Sequence, residues 1–298
     1  MRVSTKEMQL QTVQAMLDQQ AQINRTQNQL STGRRILTPA DDPSGSTQVL
    51  SLGQVIDTTN QYQRNADAAT ARLNIEDSTL SSAVDLLQRA RELAVQGNNG
   101  TENAASRKAI ATEVRQLADS MMGLANTKDS NGEYLFAGYK TQQQPFSSNG
   151  AGTYTYNGDQ GQRSVQIGPT RQIATSDSGQ NVFMNIPGGS GSVFSMLNKL
   201  ASDMESNSPD PSSITDMDTA IKNLSGVRAA VGARLNAIDL QKNANDSAVL
   251  QYQTAQSKIQ DLDYASAISQ LNLQMTGLQA AQQSYIKVQG LSLFNYLR

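Results

Sequence analysis

Two helical segments are separated by the loop sequence Ser31-Thr32-Gly33-Arg34-Arg35-Ile36-Leu37-Thr38-Pro39-Ala40-Asp41-Asp42-Pro43-Ser44-Gly45. Gly33 predicts the end of a first helix, because glycine accepts the left-handed conformation that follows many helix C-termini. Asp42 is the expected N-cap of a second helix, and Pro43 stands at its first position, where the missing N–H costs nothing. The loop therefore indicates a helix before it and a helix after it.

The helix before this loop is amphipathic and nearly uncharged. Asp18 and Arg25 are the charged residues between residues 8 and 33, so the polar face is neutral where a solvated helix usually carries Glu and Lys. We expect the apolar residues to form one face. They are Leu10, Val13, Leu17, Ile23 and Leu30. A polar face without ions favours burial among other chains, because glutamine and asparagine hydrogen-bond without the desolvation cost of ions.

Further helices are predicted on both sides of a middle region. Apolar residues at three- and four-residue steps predict a long helix from residue 43 to the stop at Gly97-Asn98-Asn99-Gly100, and an antiparallel helix over 101–126. A short helix is predicted over 193–204, and a long one from Asp210-Pro211 nearly to the C-terminus. The candidate bends of that last helix are Gly226, Gly232 and Gly277.

The C-terminal end shares the unusual character of the N-terminal helix. After Tyr264 the charged residues are Lys287 and Arg298 alone, although apolar residues continue to the end. Those expected to join the N-terminal apolar residues in a self-assembly stripe are Ile286, Leu291, Leu293, Phe294 and Leu297.

The middle region alternates short apolar stretches with turn residues, which is typical of short strands. Strands are predicted at Tyr134-Leu135-Phe136, Gly152-Thr153-Tyr154-Thr155-Tyr156 and Ser164-Val165-Gln166-Ile167. The predicted fold is mainly α, with long antiparallel coiled-coil helices formed by the N- and C-terminal regions and a small β-rich module inserted in the middle. The expected parts are terminal helices at 1–43 and 260–298, a helical rod at 44–132 and 205–259, and the β-rich module at 133–204.

Composition excludes several kinds of chemistry. The 298 residues include no cysteine, histidine or tryptophan, so disulfide frameworks, zinc fingers and hydrolases with a histidine base are excluded. A net charge of −2, with charged residues at 17% of the chain, argues against nucleic-acid binding. No apolar run is long enough for a membrane span or a signal peptide. That pattern fits a cytoplasmic chain or one exported by a pathway that reads no cleaved signal.

No group of residues predicts a catalytic, cofactor or metal site. Two acidic pairs are interpreted as solvated helix positions, because residues two apart on a helix do not face each other. These pairs are Asp216 with Asp218, and Asp261 with Asp263. Residues 129–133, Asp-Ser-Asn-Gly-Glu, lack the spacing of a calcium loop and predict a tight turn.

Several strings resemble the bacterial flagellin family of axial proteins. The motif residues similar to its N-terminal signature are Ser31, Thr32, Gly33, Arg34, Pro39, Ala40, Asp41, Asp42 and Pro43. Residues 129–138, 231–236 and 291–297 look like the hook–filament junction branch of that family more than like filament flagellin. The resemblance covers residues 1–140 and 210–298. It implies an extracellular structural subunit that passes unfolded through the flagellar type III export channel.

The resemblance also implies specific partners. The chain is expected to assemble with copies of itself as a short ring, with a neighbouring hook-associated protein on the hook side and flagellin on the filament side. An export chaperone is expected on the C-terminal helix, because an exposed apolar stripe invites early association. No cofactor, catalytic activity, nucleic acid or membrane insertion is expected.

Two alternatives stay open. The first is a filament flagellin, which would form long filaments alone; the ending Phe294-Asn295-Tyr296 argues against it. The second is a secreted enzyme or glycan-binding adhesin whose activity lies in residues 133–200. No catalytic arrangement supports this reading, but a shallow tyrosine-lined sugar site stays open.

Overall fold

The computed structural model describes residues 2–150, 152–188 and 191–290. Before the middle of the chain come α1 (Arg2–Thr32), α2 (Pro43–Gly97) and α3 (Ala104–Ala125). Four short strands follow: β1 (Phe146–Ser148), β2 (Tyr154–Tyr156), β3 (Ser164–Gln166) and β4 (Gln172–Ala174). After them come a π-helical turn (Gln180–Met184), α4 (Val193–Glu205), α5 (Ser212–Gln260) and α6 (Tyr264–Gly290). The prediction of a mainly α fold with long helices towards both ends and a small β module is confirmed.

These residues fall into two compact units. One lies within Met1–Thr58 and Ala248–Arg298, and the other within Thr59–Ser247. The first contains α1, α6 and parts of α2 and α5, and the second contains α3, the strands and α4. Across the described part of the chain, no helix combines the length and the apolarity that a membrane crossing needs.

The second unit is held together by one hydrophobic core. In α2, Leu73, Leu80 and Leu87 are fully buried at seven-residue intervals, and Val114 and Met121 of α3 repeat that interval. Heptad spacing keeps these side chains on one side of each helix, where they pack against the neighbouring helix. The core is therefore built from the same periodicity that predicted the helices.

Aromatic rings fix the β module against this core. Phe183 packs edge-on against Phe136 with ring centroids 5.2 Å apart, and edge-on against Phe146 at 5.6 Å. Phe194, at the start of α4, lies 5.3 Å from Phe146. Tyr154 of β2 stacks on Phe194 at 5.3 Å. Edge-to-face and offset geometries are the favoured ones for aromatic pairs, so the cluster ties the first hairpin and the π-helical turn to α4.

The strands form two separate antiparallel hairpins. β1 pairs with β2 through Phe146↔Tyr156 and Ser148↔Tyr154, and β3 pairs with β4 through Ser164↔Ala174 and Gln166↔Gln172. The predicted strands that contain β2 and β3 are confirmed. Their partners β1 and β4 were not predicted, because three residues of mixed polarity give no alternation signal.

The predicted strand Tyr134-Leu135-Phe136 is wrong. The N–H of Tyr134 donates to the carbonyl oxygen of Thr141 at 2.8 Å, and that of Leu135 donates to Thr127 at 3.0 Å. Bonds to two different segments curl the chain here, so Leu135 and Phe136 are both buried instead of pointing to opposite faces.

The C-terminal helical region is interrupted, but not at a glycine. α5 ends at Gln260 and α6 begins at Tyr264, whereas Gly226, Gly232 and Gly277 all lie inside helices. The interruption therefore lies away from all three candidate positions. Asp263 is the N-cap of α6, since its Oδ1 accepts the N–H of Ala265 at 3.0 Å.

Candidate self-assembly site

α1 packs along α6 through a seam that is half polar. Most of the less exposed residues of α1 follow three- and four-residue steps: Gln9, Thr12, Met16, Gln19, Ile23, Thr26 and Leu30, with the half-buried Val13 and Gln29 adjoining them. Ile23 and Thr26 are buried in α1, as are Ala267 and Gln274 in α6. The Thr26 hydroxyl lies 3.1 Å from Oε1 of Gln274, and Gln19 donates to the Gln274 carbonyl oxygen at 3.2 Å. The hairpin within one chain thus buries little apolar surface.

The five apolar residues predicted to share one face of α1 do not share it. Ile23 is buried in the seam and Leu30 is half-buried, whereas Leu10 is 63% exposed and Leu17 is 58% exposed. Within the exposed pair and within the less exposed pair the spacing is seven residues, which keeps both members on one face. The six-residue step from Leu17 to Ile23 places the two pairs about 120° apart around the helix axis. The prediction combined two different faces, one turned to α6 and one turned outwards.

Leu17 of the outward face and Met16 of the seam both line an apolar groove. Its volume is 450 Å³, and it lies between α1 and α6. The residues around it are Val13, Met16, Leu17, Gln20, Leu278, Gln282, Tyr285 and Ile286. Ile286 is 68% exposed there. Of the predicted self-assembly residues, the structure therefore brings Val13, Leu17 and Ile286 together; Leu291, Leu293, Phe294 and Leu297 lie outside the described residues.

Other exposed apolar residues extend along the same two helices. They are Met8, Tyr264, Ile268, Leu273 and Met275. Single exposed apolar side chains are ordinary, and a group of them on one pair of helices is typical of surfaces that associate.

The motif loop closes α1 as the sequence predicts. Gly33 has φ +69°, the left-handed conformation, and its N–H donates to the Gln29 carbonyl oxygen at 2.9 Å. Before it, the hydroxyls of Ser31 and Thr32 donate to the carbonyl oxygen of Asn28 at 3.0 and 2.8 Å. The glycine C-terminus of α1 is thereby confirmed.

Two aspartates of the motif organise the rest of the loop. Asp41 accepts the N–H groups of Leu37 and Thr38 at 2.9 and 2.8 Å and pairs with Arg25 at 2.8 Å. Asp42 accepts the N–H of Gly45 at 2.8 Å, which confirms it as the N-cap of α2. Backbone N–H donors, those of Thr38 and Gly45 first, lower the pKa of both carboxyls. Pro39 and Ala40 are exposed in the turn between, and Pro43 begins α2.

Sequence reasoning missed the role of Arg35. Its guanidinium donates to the carbonyl oxygen of Ile259 at 2.9 Å and to Asp42 at 3.1 Å. Its backbone N–H donates to Gln260 at 2.7 Å. The neighbouring Arg34 is exposed and meets Asp261 only through a backbone bridge. No sequence signal separates these two arginines, because the difference arises from contacts with the other end of the chain.

We expect Gly33→Ala to weaken this loop. The loop would hold an alanine at position 33 in the left-handed conformation, and its Cβ would lie 2.8 Å from the Tyr264 hydroxyl oxygen. The left-handed conformation costs an L-residue about 1–2 kcal/mol. Hydrogen exchange of the Leu262 amide, which donates to the Gly33 carbonyl oxygen at 3.0 Å, should speed up about 5- to 30-fold. Gly53→Ala is the control, since it lies in α2 with nothing within 4 Å of its Cβ, and it should leave this rate unchanged.

The acidic pairs outside the loop have structural roles. Asp216 is buried, so its interpretation as a solvated position is wrong, whereas Asp218 is exposed as expected and pairs with Arg91. Asp261 and Asp263 are exposed, but they stand in the break between helices and not within one. The residues that the structure describes contain no group of acidic side chains able to hold a metal ion.

The predicted turn at residues 129–133 is confirmed. Oδ1 of Asp129 accepts the N–H groups of Asn131 and Glu133 at 2.8 and 3.0 Å. Arg72 of α2 pairs with Asp129 and lies 3.5 Å from Glu133. The turn therefore also anchors the segment that follows it to α2.

Family models match both ends of the chain. The model described as "Bacterial flagellin N-terminal helical region" matches residues 3–141, and "Bacterial flagellin C-terminal helical region" matches residues 214–297. Between them they include the motif loop, α1, α2, α3, α6 and nearly all of α5.

Curated relatives match the chain from end to end. Flagellar hook-associated protein 3 of Escherichia coli strain K12 is 32% identical over 99% of both chains. The protein of the same name from Salmonella typhimurium strain LT2 is 30% identical over the full length of both. Among solved structures, a putative flagellar hook-associated protein from Vibrio parahaemolyticus has a TM-score of 0.67 at 24% identity, covering 74% of this chain and 100% of the other. That structural match shows a shared fold.

Proposed function

The chain belongs to the bacterial flagellin family, and from this premise we propose that it is a structural subunit at the hook–filament junction, outside the cell, built in by self-assembly of its terminal helices. The observation that carries the proposal is the end-to-end match to two proteins named hook-associated protein 3. A flagellin with a different place in the flagellum would not be expected to match these relatives over their whole length.

The groove between α1 and α6 supports the mode of assembly. Leu17 and Ile286 line it and are more than half exposed, so a single chain leaves apolar surface in water. Packing a helix of a neighbouring copy into a groove of this kind buries that surface, as amphipathic helices do in hydrophobic grooves. In a closed ring the same contact is repeated between each copy and its neighbour.

The ring has further partners in this proposal. A hook-associated protein contacts it on the hook side, flagellin contacts it on the filament side, and an export chaperone covers the C-terminal helix before export. The exposed Ile268, Leu273 and Met275 support the last of these, because an uncovered apolar helix associates too early. A peptide of residues 260–298 should bind a flagellar export chaperone, and absence of binding to every such chaperone of the source bacterium would remove the chaperone from the proposal.

Deleting the gene tests the junction role. We expect non-motile cells without attached filaments, together with unpolymerised flagellin in the medium, because flagellin is still exported but has no junction on which to grow. Filament counts by electron microscopy and a flagellin assay of the medium give the result. Normal attached filaments on the deletion strain would contradict the proposal.

The purified chain separates the junction role from that of a filament subunit. A junction subunit should form only short assemblies, because its growth ends when the ring is complete. Long filaments assembled from this chain alone would favour the flagellin alternative. In this proposal the chain acts mechanically.

A further inference from the structure

The break between α5 and α6 has no helix-breaking residue. Residues 255–270 contain neither glycine nor proline. Helices usually end with glycine just after the last turn or with proline shortly beyond it. Asp263 can start α6 as its N-cap, but an N-cap alone does not satisfy the carbonyl groups at the end of the preceding helix. What ends α5 must therefore come from another part of the chain.

The motif loop supplies the missing partners. The Arg35 guanidinium donates to the carbonyl oxygen of Ile259 from Nη2 at 2.9 Å and from Nε at 3.3 Å. The Arg35 backbone N–H donates to the Gln260 carbonyl oxygen at 2.7 Å, and the Leu262 N–H donates to Gly33 at 3.0 Å. In a continuous helix these groups would bond to residues four positions away. Here bonds to residues 33 and 35 take the place of those helical hydrogen bonds.

Arg35 is itself held in place from both sides of the loop. Nη2 lies 3.1 Å from Oδ2 of Asp42, the N-cap of α2. The side chain of Gln29, in the last turns of α1, donates to the Arg35 carbonyl oxygen at 2.6 Å. A cation at the C-terminal end of a helix also interacts favourably with the helix dipole. The side chain is therefore positioned by two helices to cap a third.

We infer that Arg35 is a positioning residue that ends α5 and so sets where α6 begins. The N-terminal loop thus determines the path of the C-terminal helix. Without the guanidinium, continuation of the helix through residues 261–263 would give the Ile259 carbonyl oxygen a new partner, the N–H of Asp263. The consequence for ring assembly rests on the proposed function, but the capping itself does not.

Chemical shifts of residues 261–263 test the capping in the full-length chain. The 32.1 kDa protein is deuterated, and the Cα shifts of Asp261, Leu262 and Asp263 are compared between parent and variants. The parent should show non-helical values at all three. Arg35→Ala should move them to helical values, whereas Arg34→Ala, the control at the adjacent position, should leave them unchanged.

A second variant keeps the test informative if Arg35→Ala perturbs the loop broadly. Asp42→Asn retains a good N-cap for α2 but removes the charge that holds Arg35. It should shift residues 261–263 part of the way towards helical values. Unchanged shifts in Arg35→Ala would overturn the inference, since the break would then be intrinsic to α6. Loss of the helical Cα shifts of α6 in Arg35→Ala would overturn the inference as well. Removing the cap would then have unfolded α6 instead of joining it to α5.

Motility forms a separate arm of the experiment. In the deletion strain, Arg34→Ala should restore attached filaments to the parental level and Arg35→Ala should not. If the parent itself restores no filaments while the shifts change as expected, the proposed function fails and the capping stands. If filaments form normally with Arg35→Ala and the shifts stay non-helical, the capping fails and the proposed function stands.

Discussion

Replacing Leu17 by aspartate is expected to abolish junction assembly while leaving the single chain folded. Leu17 is 58% exposed, so a polar side chain there costs the isolated chain little. In the proposed ring a neighbouring copy would cover the same position, and an unpaired buried charge would cost about 3–5 kcal/mol. The cost recurs in every subunit. Cells carrying Leu17→Asp should therefore match the deletion strain in motility and in attached filaments.

Two further variants define the surface. Ile286→Asp, on the opposite wall of the groove, should have the same effect, because Ile286 is 68% exposed in the single chain. Leu240→Asp is the matched control: it makes the same replacement at a leucine of α5 that is 68% exposed and lies outside the groove, and it should retain filaments. Circular dichroism of each purified variant checks that the helices remain. Full motility with Leu17→Asp would show that the groove is not the assembly face.

Glu76→Gln is expected to stabilise the second unit at neutral pH. Glu76 lies in α2 with 1% of its surface exposed, and its Oε1 has no hydrogen-bond partner among the described residues. Burial, followed by the negative charge of Asp177, raises the pKa of Glu76 to about 8, against the opposing effect of Arg234 and Arg72. A glutamine of the same shape is neutral at every pH and has an amide able to donate to Asp177.

The pH dependence has a definite sign. Between the ordinary value of 4.5 and about 8, the folded carboxyl keeps a proton that the unfolded one has lost. Stability from this group is therefore fully present below pH 4.5 and falls as the pH rises through that window. The slope is about 1.4 kcal/mol per pH unit, so between pH 4.5 and pH 7 the parent should lose roughly 3–4 kcal/mol that the variant keeps.

Urea denaturation of the full chain at pH 5 and pH 8, followed by circular dichroism, measures this difference. The parent should lose stability between the two values and Glu76→Gln should lose much less. Glu92→Gln is the matched control, because Glu92 is on the same helix with a side chain 66% exposed, and it should follow the parent. Equal pH slopes for the parent and Glu76→Gln would show that Glu76 is ionised in the folded chain.

Local sequence signals predicted the helices and most of their ends. The N–H of Gly33 bonds to Gln29 and the Asp42 carboxylate accepts the N–H of Gly45, so the bonds that end α1 and begin α2 span fewer than five positions. Such short-range chemistry is visible in a sequence. The family motif in residues 31–43 could be identified for the same reason, since it is one continuous string.

Long-range contacts were not predictable in this way. The end of α5 depends on bonds from Arg35, more than 220 positions earlier in the chain. The separation of Leu17 from Ile23 depends on which side of α1 faces α6, and apolar spacing alone does not reveal that. Leu135 and Phe136 look like strand residues because both strands and buried turns use consecutive apolar side chains.

The half-polar seam between α1 and α6 bears on how easily the chain can be threaded through a narrow channel. Among the described residues of that hairpin, Ile23 and Ala267 are the buried apolar side chains, and Thr26 and Gln274 are the buried polar ones. Burial of one isoleucine is worth only about 1.5–3 kcal/mol, and half-buried side chains such as Met16, Leu30 and Leu278 add a part of theirs, so we expect the contact between the two helices to be weak. A hairpin that opens under a small force can be extruded as a single strand and rewound afterwards. The stability of the hairpin after export would then come from contacts with neighbouring copies and not from the contact between α1 and α6.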